Sequence, residues 1–400
     1  MGLRSIKEIF ITGHGPSSSH TMGPYFASQY ILKKYQGLKH VEVTLYGSLA
    51  LTGKGHLTDY IIDVAFKDVP HKIIFNKKTK TKHPNTMTFK VVDSLGKEHL
   101  ENVISIGGGS IVTVDNINEI GAKNIYPHTH MSEIMKYCTS HDMSFYDYVV
   151  AHEGKDIYSY FKDVLKVMDE AYERGLKAEG YLPGKLRVKR KAKAMYEAME
   201  DTTLGVNDVA MNVAIASFAV AEENASGGII VTAPTCGSAG VLPGCIKYLR
   251  MKKVSDENII KGLAVAGLFG IVCKMNASVS GAECGCQAEI GVACSMGAAM
   301  IAFCFGKEIA DIVQAAEIAL EHSLGLTCDP VDGYVQIPCI ERCAIYAIKA
   351  INAVKLAIVI PNDDIHVSYD DSIRTMYQTG LDMNKKYKET SLGGLAEFIK

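Results

Sequence analysis

Cysteine and histidine are the side chains best able to bind metal or move protons near neutral pH, and the chain carries eleven of the first and thirteen of the second. The cysteines sort by neighbourhood. Cys138, Cys245, Cys273, Cys304 and Cys343 lie among apolar or unremarkable residues and read as small core hydrophobes. Cys286, in Gly281-Ala282-Glu283-Cys284-Gly285-Cys286-Gln287, sits where backbone can bend around an inorganic centre, as do Cys328 in Leu326-Thr327-Cys328-Asp329-Pro330 and Cys339 in Gln336-Ile337-Pro338-Cys339-Ile340-Glu341-Arg342. These three are separated by 42 and 11 positions. That spacing is neither the paired short spacing of a zinc finger or ribbon nor the compact ferredoxin run. On spacing alone, a cluster and buried structural thiols both stay open.

The histidines of interest fall in three short segments of the first hundred residues. His20 closes Gly15-Pro16-Ser17-Ser18-Ser19-His20-Thr21, His56 ends Tyr46–His56, and His83 stands two residues before Asn85. Imidazoles titrate near neutrality and can shuttle protons, although any one of these also fits a satisfied surface or core histidine. Ser17, Ser18, Ser19 and Thr21 offer hydroxyl and N–H donors to a carboxylate; the same loop reads equally as an N-cap for the next helix. Gly107-Gly108-Gly109 lacks the spacing and the following Lys-Ser/Thr of a phosphate loop and reads as a turn.

The elements that must position these residues differ between the two halves. His40–Gly47 alternates as a strand, and Met87–Asp93 and Glu101–Ile106 flank Ser94-Leu95-Gly96-Lys97 as a hairpin. Tyr25–Tyr35 has helical spacing. After Thr202 the chain turns Ala-, Gly- and Met-rich in apolar stretches of helical length, which predicts helices buried on every side. The expected fold class is therefore α+β: an N-terminal mixed α/β domain over 1–131, a charged helical connector over 132–200, and a mainly all-α domain over 201–400.

Composition narrows the function classes. At 48% hydrophobic and 22% charged, the chain reads as folded and globular, and a net charge of −2 predicts no general affinity for nucleic acid or anionic membrane. The basic run Lys185–Lys193 reads as a solvated helix face or inter-domain surface rather than a nucleic-acid patch. Ala225–Ile246 is uncharged and long enough to span a bilayer, but its prolines, glycines and hydroxyls give it a loop-like composition. Gly262–Cys273 and Ile290–Gly306 read as buried helices. The first twenty residues lack a signal-peptide core, so the expected location is the cytoplasm, where cysteines stay reduced.

Taken in order, the motifs resemble those of the bacterial iron–sulfur L-serine dehydratases. The resemblance rests on Gly15–Thr21, Tyr46–His56 and His83–Met87, then on Glu179–Gly184, Thr232–Gly240, Cys328-Asp329-Pro330 and Pro338–Arg342, and it runs on to Thr390–Leu395. It implies β-type and α-type domains fused in one chain and a [4Fe–4S] cluster on Cys286, Cys328 and Cys339 with one iron open to substrate. It also implies an active site lined by His20, His56, His83 and Asn85. The reaction it implies is dehydration of L-serine to pyruvate and ammonia, a step of amino-acid catabolism and gluconeogenesis. Asn224–Gly228 and Lys274–Ser278 resemble segments packed near the cluster. Cys236 and Cys284 stand where the family usually has Asn and an apolar residue. The chain ends Glu397-Phe398-Ile399-Lys400, without the cysteine that closes many relatives. The expected partners are L-serine and a second copy in a homodimer, with no nucleic acid and no membrane. Competing readings are the same chemistry on L-threonine or a related β-hydroxy amino acid, and a non-catalytic iron–sulfur redox sensor. The histidine segments argue against the sensor, and nothing resembles the Schiff-base lysine segment of a pyridoxal-phosphate enzyme.

Overall fold

Val41, Val43 and Leu45 alternate with Glu42, Thr44 and Tyr46, and that period of two makes an interior strand of a five-stranded sheet. In the computed structural model the described residues are 2–113, 124–199, 208–360 and 366–399. They fall into two units, the smaller being Gly13–Ala122 with Ser226–Gly228 and the larger Met1–Thr12, Lys123–Ala225 and Ile229–Lys400. The boundary expected at 200–201 lies outside the described residues, as does Thr202.

The chain enters the smaller unit through β1 (Thr12–His14) and a π-type turn at Ser18–Met22, followed by α1 (Gly23–Lys34), β2 (His40–Tyr46), α2 (Gly47–Thr52) and α3 (Thr58–Ala65). Strands β3 (His71–Asn76), β4 (Thr86–Val92), β5 (Glu98–Gly107) and β6 (Ser110–Thr113) complete a sheet of order β3-β2-β4-β5-β6. Only β2 and β3 run parallel, with Val43 opposite Ile73, while β2–β4, β4–β5 and β5–β6 are antiparallel. The hairpin expected around Ser94–Lys97 is β4–β5. The buried faces of these strands (Val43, Leu45, Phe89 and Val103 among them) pack with Ala27 and Ile31 of α1 and Ile61 and Ile62 of α3. This core leaves the strand-to-helix turns to carry the histidines.

The larger unit is helical. Its elements are α4 (Met131–Ser140), α5 (Phe145–Glu153), α6 (Ile157–Lys177), α7 (Ala192–Ala198), α8 (Val209–Ala225), the short strand β7 (Ile229–Val231), α9 (Val241–Met251) and α10 (Asp256–Asn276). They continue through α11 (Gly281–Cys284), α12 (Val292–Cys304), α13 (Ile309–Glu321), α14 (Cys339–Val359), α15 (Tyr369–Asp382) and α16 (Leu395–Phe398). Helix α10 packs on α12, α12 on α13, and α14 on α8. Small residues permit the close approach: a Cβ on Gly262 would lie 2.6 Å from Cys304 Sγ, and one on Gly270 would lie 3.0 Å from Met296 Sδ. Two segments, Asp256–Asn276 and Gln287–Cys304, have the length and hydropathy of a membrane span, but 78% and 83% of their apolar windows are buried within the unit.

Two local expectations change. The uncharged segment Ala225–Ile246 divides into β7, a loop and the start of α9. The basic run Lys185–Lys193 is loop until α7 begins, broken by Pro183-Gly184 and by Arg187 at φ 52. Four of its six cations meet acids of the same unit, in Lys185–Asp332, Arg190–Glu223, Lys191–Glu341 and Lys193–Glu179, and Arg187 lies over the Tyr181 ring.

Candidate functional site

Cys286, Cys328 and Cys339 reach one place in the larger unit along three different routes. Cys286 follows Gly285, whose φ of +76 ends α11, and opens the turn Gln287–Gly291 into α12. Cys328 lies in the loop after α13, where its N–H donates to Tyr387 O (2.8 Å) and its carbonyl accepts from Glu389 N–H (2.8 Å). Cys339 is the first residue of α14, behind Pro338. Arg342, one turn further along α14, ties them together. It donates through Nη1 to Cys286 Sγ (3.4 Å) and Thr327 O (2.9 Å), and through Nη2 to Asp329 Oδ1 (2.8 Å). The other oxygen of Asp329 accepts the Leu395 N–H (2.9 Å), so the loop is held from two sides.

The donor atoms of Cys286, Cys328 and Glu289 all lie within 4.8 Å of one another, with Cys328 Sγ 3.9 Å from Glu289 Oε2. Cys339 stands outside that tight group but close enough to interact electrostatically with Cys286. Contact with Cys286 and burial push the Cys328 thiol well up, and burial followed by the Cys286 charge does the same to Cys339. Burial alone would weaken Arg342's hold on its proton; the charge of Cys286 and the Asp329 carboxylate more than reverse this. Glu289 is also raised, chiefly by burial. Thiols that resist ionisation singly, gathered beside a guanidinium, suit a multivalent metal centre whose charge draws off their protons. The space agrees: a Cβ on Gly281 would fall 2.4 Å from Glu289 Oε2 and 3.1 Å from Cys328 Sγ, so glycine there leaves the carboxylate and the thiol in place. The residues present therefore fit a cysteine-held iron–sulfur group.

The other thiols separate from this set. Cys138, Cys245 and Cys273 are buried in the helical core, whereas Cys304 is partly exposed and donates to Asn258 O. Cys294, left aside by the neighbourhood sorting, is also buried. Cys284 packs against α15, where a Cβ on Gly380 would meet its Sγ at 2.7 Å; burial raises it to about 11. Cys236 is buried in the Thr235–Gly240 turn. Cys343 lies closer to the centre than its apolar neighbours suggest, with its thiol turned to Gly237 O (3.3 Å) one helical turn after Cys339. Lys274 is paired with Glu8, and Asn276 donates to Thr129 O, so both side chains have structural partners.

In the smaller unit the histidine segments meet. Ser17 is the N-cap of the turn, accepting His20 N–H through Oγ, while its own N–H donates to Thr21 Oγ1. Thr21 Oγ1 donates to His56 O, and Thr58 Oγ1 to His20 O, lacing the turn to the end of α2. The His20 and His56 rings lie against one another, centroids 4.7 Å apart and tilted by 31°. His20 Nδ1 faces Ser19 Oγ (2.7 Å) and Nε2 faces Ser48 Oγ (2.9 Å). Ser48 also donates its N–H to Pro84 O (2.8 Å), which brings the His83–Asn85 loop alongside. There His83 Nδ1 accepts the Asn85 N–H, while Asn85 Oδ1 is enclosed and meets no donor among the described residues. Burial lowers the affinity of His20, His56 and His83 for protons; for His20 the neighbouring His56 adds to the effect. Ser18 is buried and Ser19 half-exposed. Sequence reasoning did not single out Ser48, Glu289 or Arg342. Ser48 and Arg342 lay inside quoted motifs, and Glu289 was legible only as the third residue after Cys286.

Comparison with known proteins follows the same division of motifs. The family model described as serine dehydratase alpha chain matches residues 76–396, and that described as serine dehydratase beta chain matches residues 5–65. The chain is 38% identical to the L-serine dehydratase of Haemophilus influenzae, over 98% of each protein. It is 39% identical to that of Helicobacter pylori over 99% of each, and 37% identical to that of Mycobacterium bovis over 98% of this chain and 97% of the relative. With both family models in one chain and such identity sustained over nearly its full length, the chain belongs to the serine dehydratase family.

Proposed function

We propose that the chain is an iron–sulfur L-serine ammonia-lyase that converts L-serine to pyruvate and ammonia, with a [4Fe–4S] cluster on Cys286, Cys328 and Cys339. The observation that carries this reading is the meeting of Cys286 and Cys328 beside Gly281 and the Arg342 guanidinium, with Cys339 at the start of α14 close enough to feel the charge of Cys286. When bound, such a cluster supplies a Lewis acid that weakens the Cβ–O bond of serine.

The chain's own residues handle the rest of the reaction. The Cα proton needs an acceptor, and His20 and His56, kept neutral by burial, supply it. His83 is the third imidazole of the group. Asn85 Oδ1 is a buried acceptor suited to the substrate ammonium. Ser17, Ser18 and Ser19 line the turn that offers donors to the substrate carboxylate, and Thr21 shapes that turn by spending its hydroxyl on His56 O. Loss of the Cα proton and the β-hydroxyl releases water. The enamine that remains tautomerises to an imine, and water hydrolyses it to one pyruvate and one ammonia.

The eleven thiols, none in a disulfide, support a reducing cytoplasmic setting. The homodimer stays part of the reading on the strength of the family resemblance. The test is anaerobic purification followed by initial rates with L-serine and L-threonine. Pyruvate should form with the higher kcat/KM, since one methyl in a fitted pocket is worth about 1–3 kcal/mol. A fully iron-loaded protein that turns over neither substrate would favour the redox sensor, and faster turnover of L-threonine would change the substrate.

A further inference from the structure

Three thiolates leave one iron of a four-iron cluster without a protein sulfur, and the structure places an oxygen donor beside them. Glu289 stands three residues after Cys286, on the turn Gln287–Gly291, which carries both side chains to the same side. Its Oε2 lies 3.9 Å from Cys328 Sγ and within 4.8 Å of the Cys286 donor. A glycine makes room for the carboxylate: a Cβ on Gly281 would press on Oε2 at 2.4 Å. The Thr235 hydroxyl contacts it, yet among the described residues no lysine, arginine or histidine forms an ion pair with it. Arg342, whose charge reaches Glu289, gives its hydrogen bonds to Asp329, Thr327 and Cys286 instead. A partly buried carboxylate beside metal-binding thiols, with no cation of its own, is matched to a metal ion.

We propose that the Glu289 carboxylate is a ligand of the resting cluster, bound to the iron that Cys286, Cys328 and Cys339 leave without a thiolate. The inference rests on the cluster reading above and adds the fourth protein donor. The chemistry of the donor fits the task. A carboxylate oxygen is harder than a thiolate and exchanges more readily, so it holds the iron at rest and yields to the oxygen atoms of a hydroxy amino acid.

The experiment uses full-length wild type and Glu289→Gln, each reconstituted anaerobically with Mössbauer-active iron. The substrate-free spectra should differ in one doublet carrying about a quarter of the iron, the rest being unchanged. Saturating L-serine should shift that doublet in wild type. A second measurement covers the case in which the variant does not load. Reduced wild type, frozen in water carrying the magnetic oxygen isotope, should show no coupling from bound water. Identical doublets in the two proteins, or a clear water-oxygen coupling in wild type, would overturn the assignment while leaving a serine-competent cluster in place. A wild type that assembles no four-iron cluster would instead remove the cluster reading, and this ligand with it.

Discussion

His20 and His56 lie with ring centroids 4.7 Å apart and withdrawn from water, an arrangement that penalises charging either ring and penalises charging both more. Burial lowers both pKa values below 6.5, and His56 lowers that of His20 further. An unfolded chain takes up these protons first as pH falls. The stability tied to keeping the pair neutral is therefore complete above 6.5 and is lost as pH drops through 6.5 toward the folded values. Replacing His56 with Ala removes the like-charge penalty, so the His20 midpoint, followed by ring-proton NMR, should move upward toward 6.5. An unmoved or lower midpoint would mean that the rings do not interact. The pair was partly legible in the sequence, because both histidines fell inside short motifs rich in hydroxyls and glycine. The role of Ser48, which faces His20 Nε2, is not legible in its motif, since a serine's spacing does not reveal which ring it will face.

At the scale of elements, the thiol site is a loop clamped by a helix. Arg342 of α14 holds Thr327 and Asp329, Asp329 receives the Leu395 N–H, and Tyr387 and Glu389 bracket Cys328. The glycines around it serve different ends, which can be separated by substitution. Gly281→Ala presses on a flexible carboxylate end, so the melting temperature should change little while bound iron falls severalfold. Gly240→Ala brings its methyl to 2.6 Å from the carbonyl of Ser217, which is backbone in α8, so it should cost about 1–3 kcal/mol of stability. Calorimetry and iron analysis of both variants check this; a reversed pattern would show that Gly281 serves packing rather than the site. The elements themselves were readable because alternation and apolar length are one-dimensional signals, as in β2, the β4–β5 hairpin and the buried helices α10 and α12. Glu289 was not readable, because a glutamate in a helical stretch has the spacing of any surface residue. Its meaning depends on a loop some forty positions away. The partners of the basic run Lys185–Lys193 were hidden for a related reason: two of its counter-charges, Asp332 and Glu341, are distant in sequence.

At the scale of the whole molecule, apolar length alone would have suggested a membrane for Asp256–Asn276 and Gln287–Cys304; bounding charges and small residues pointed instead to burial, and most of both windows is covered within the helical unit. The net charge is −2, and most of the cations of the local basic run are paired with acids of the helical unit. What ties the chain to one chemistry is the contrast among its thiols. Cys286 and Cys328 come together with Glu289 beside Gly281 and Arg342, with Cys339 near enough to interact electrostatically with Cys286, and others such as Cys245 are enclosed by core helices. The most direct test compares Cys328→Ser with Cys245→Ser, both purified anaerobically and measured for iron, sulfide and pyruvate formation from L-serine. The account predicts that Cys328→Ser loses most of its iron and all measurable turnover, while Cys245→Ser keeps both near the wild-type level. Full iron content and normal pyruvate formation in Cys328→Ser would contradict it.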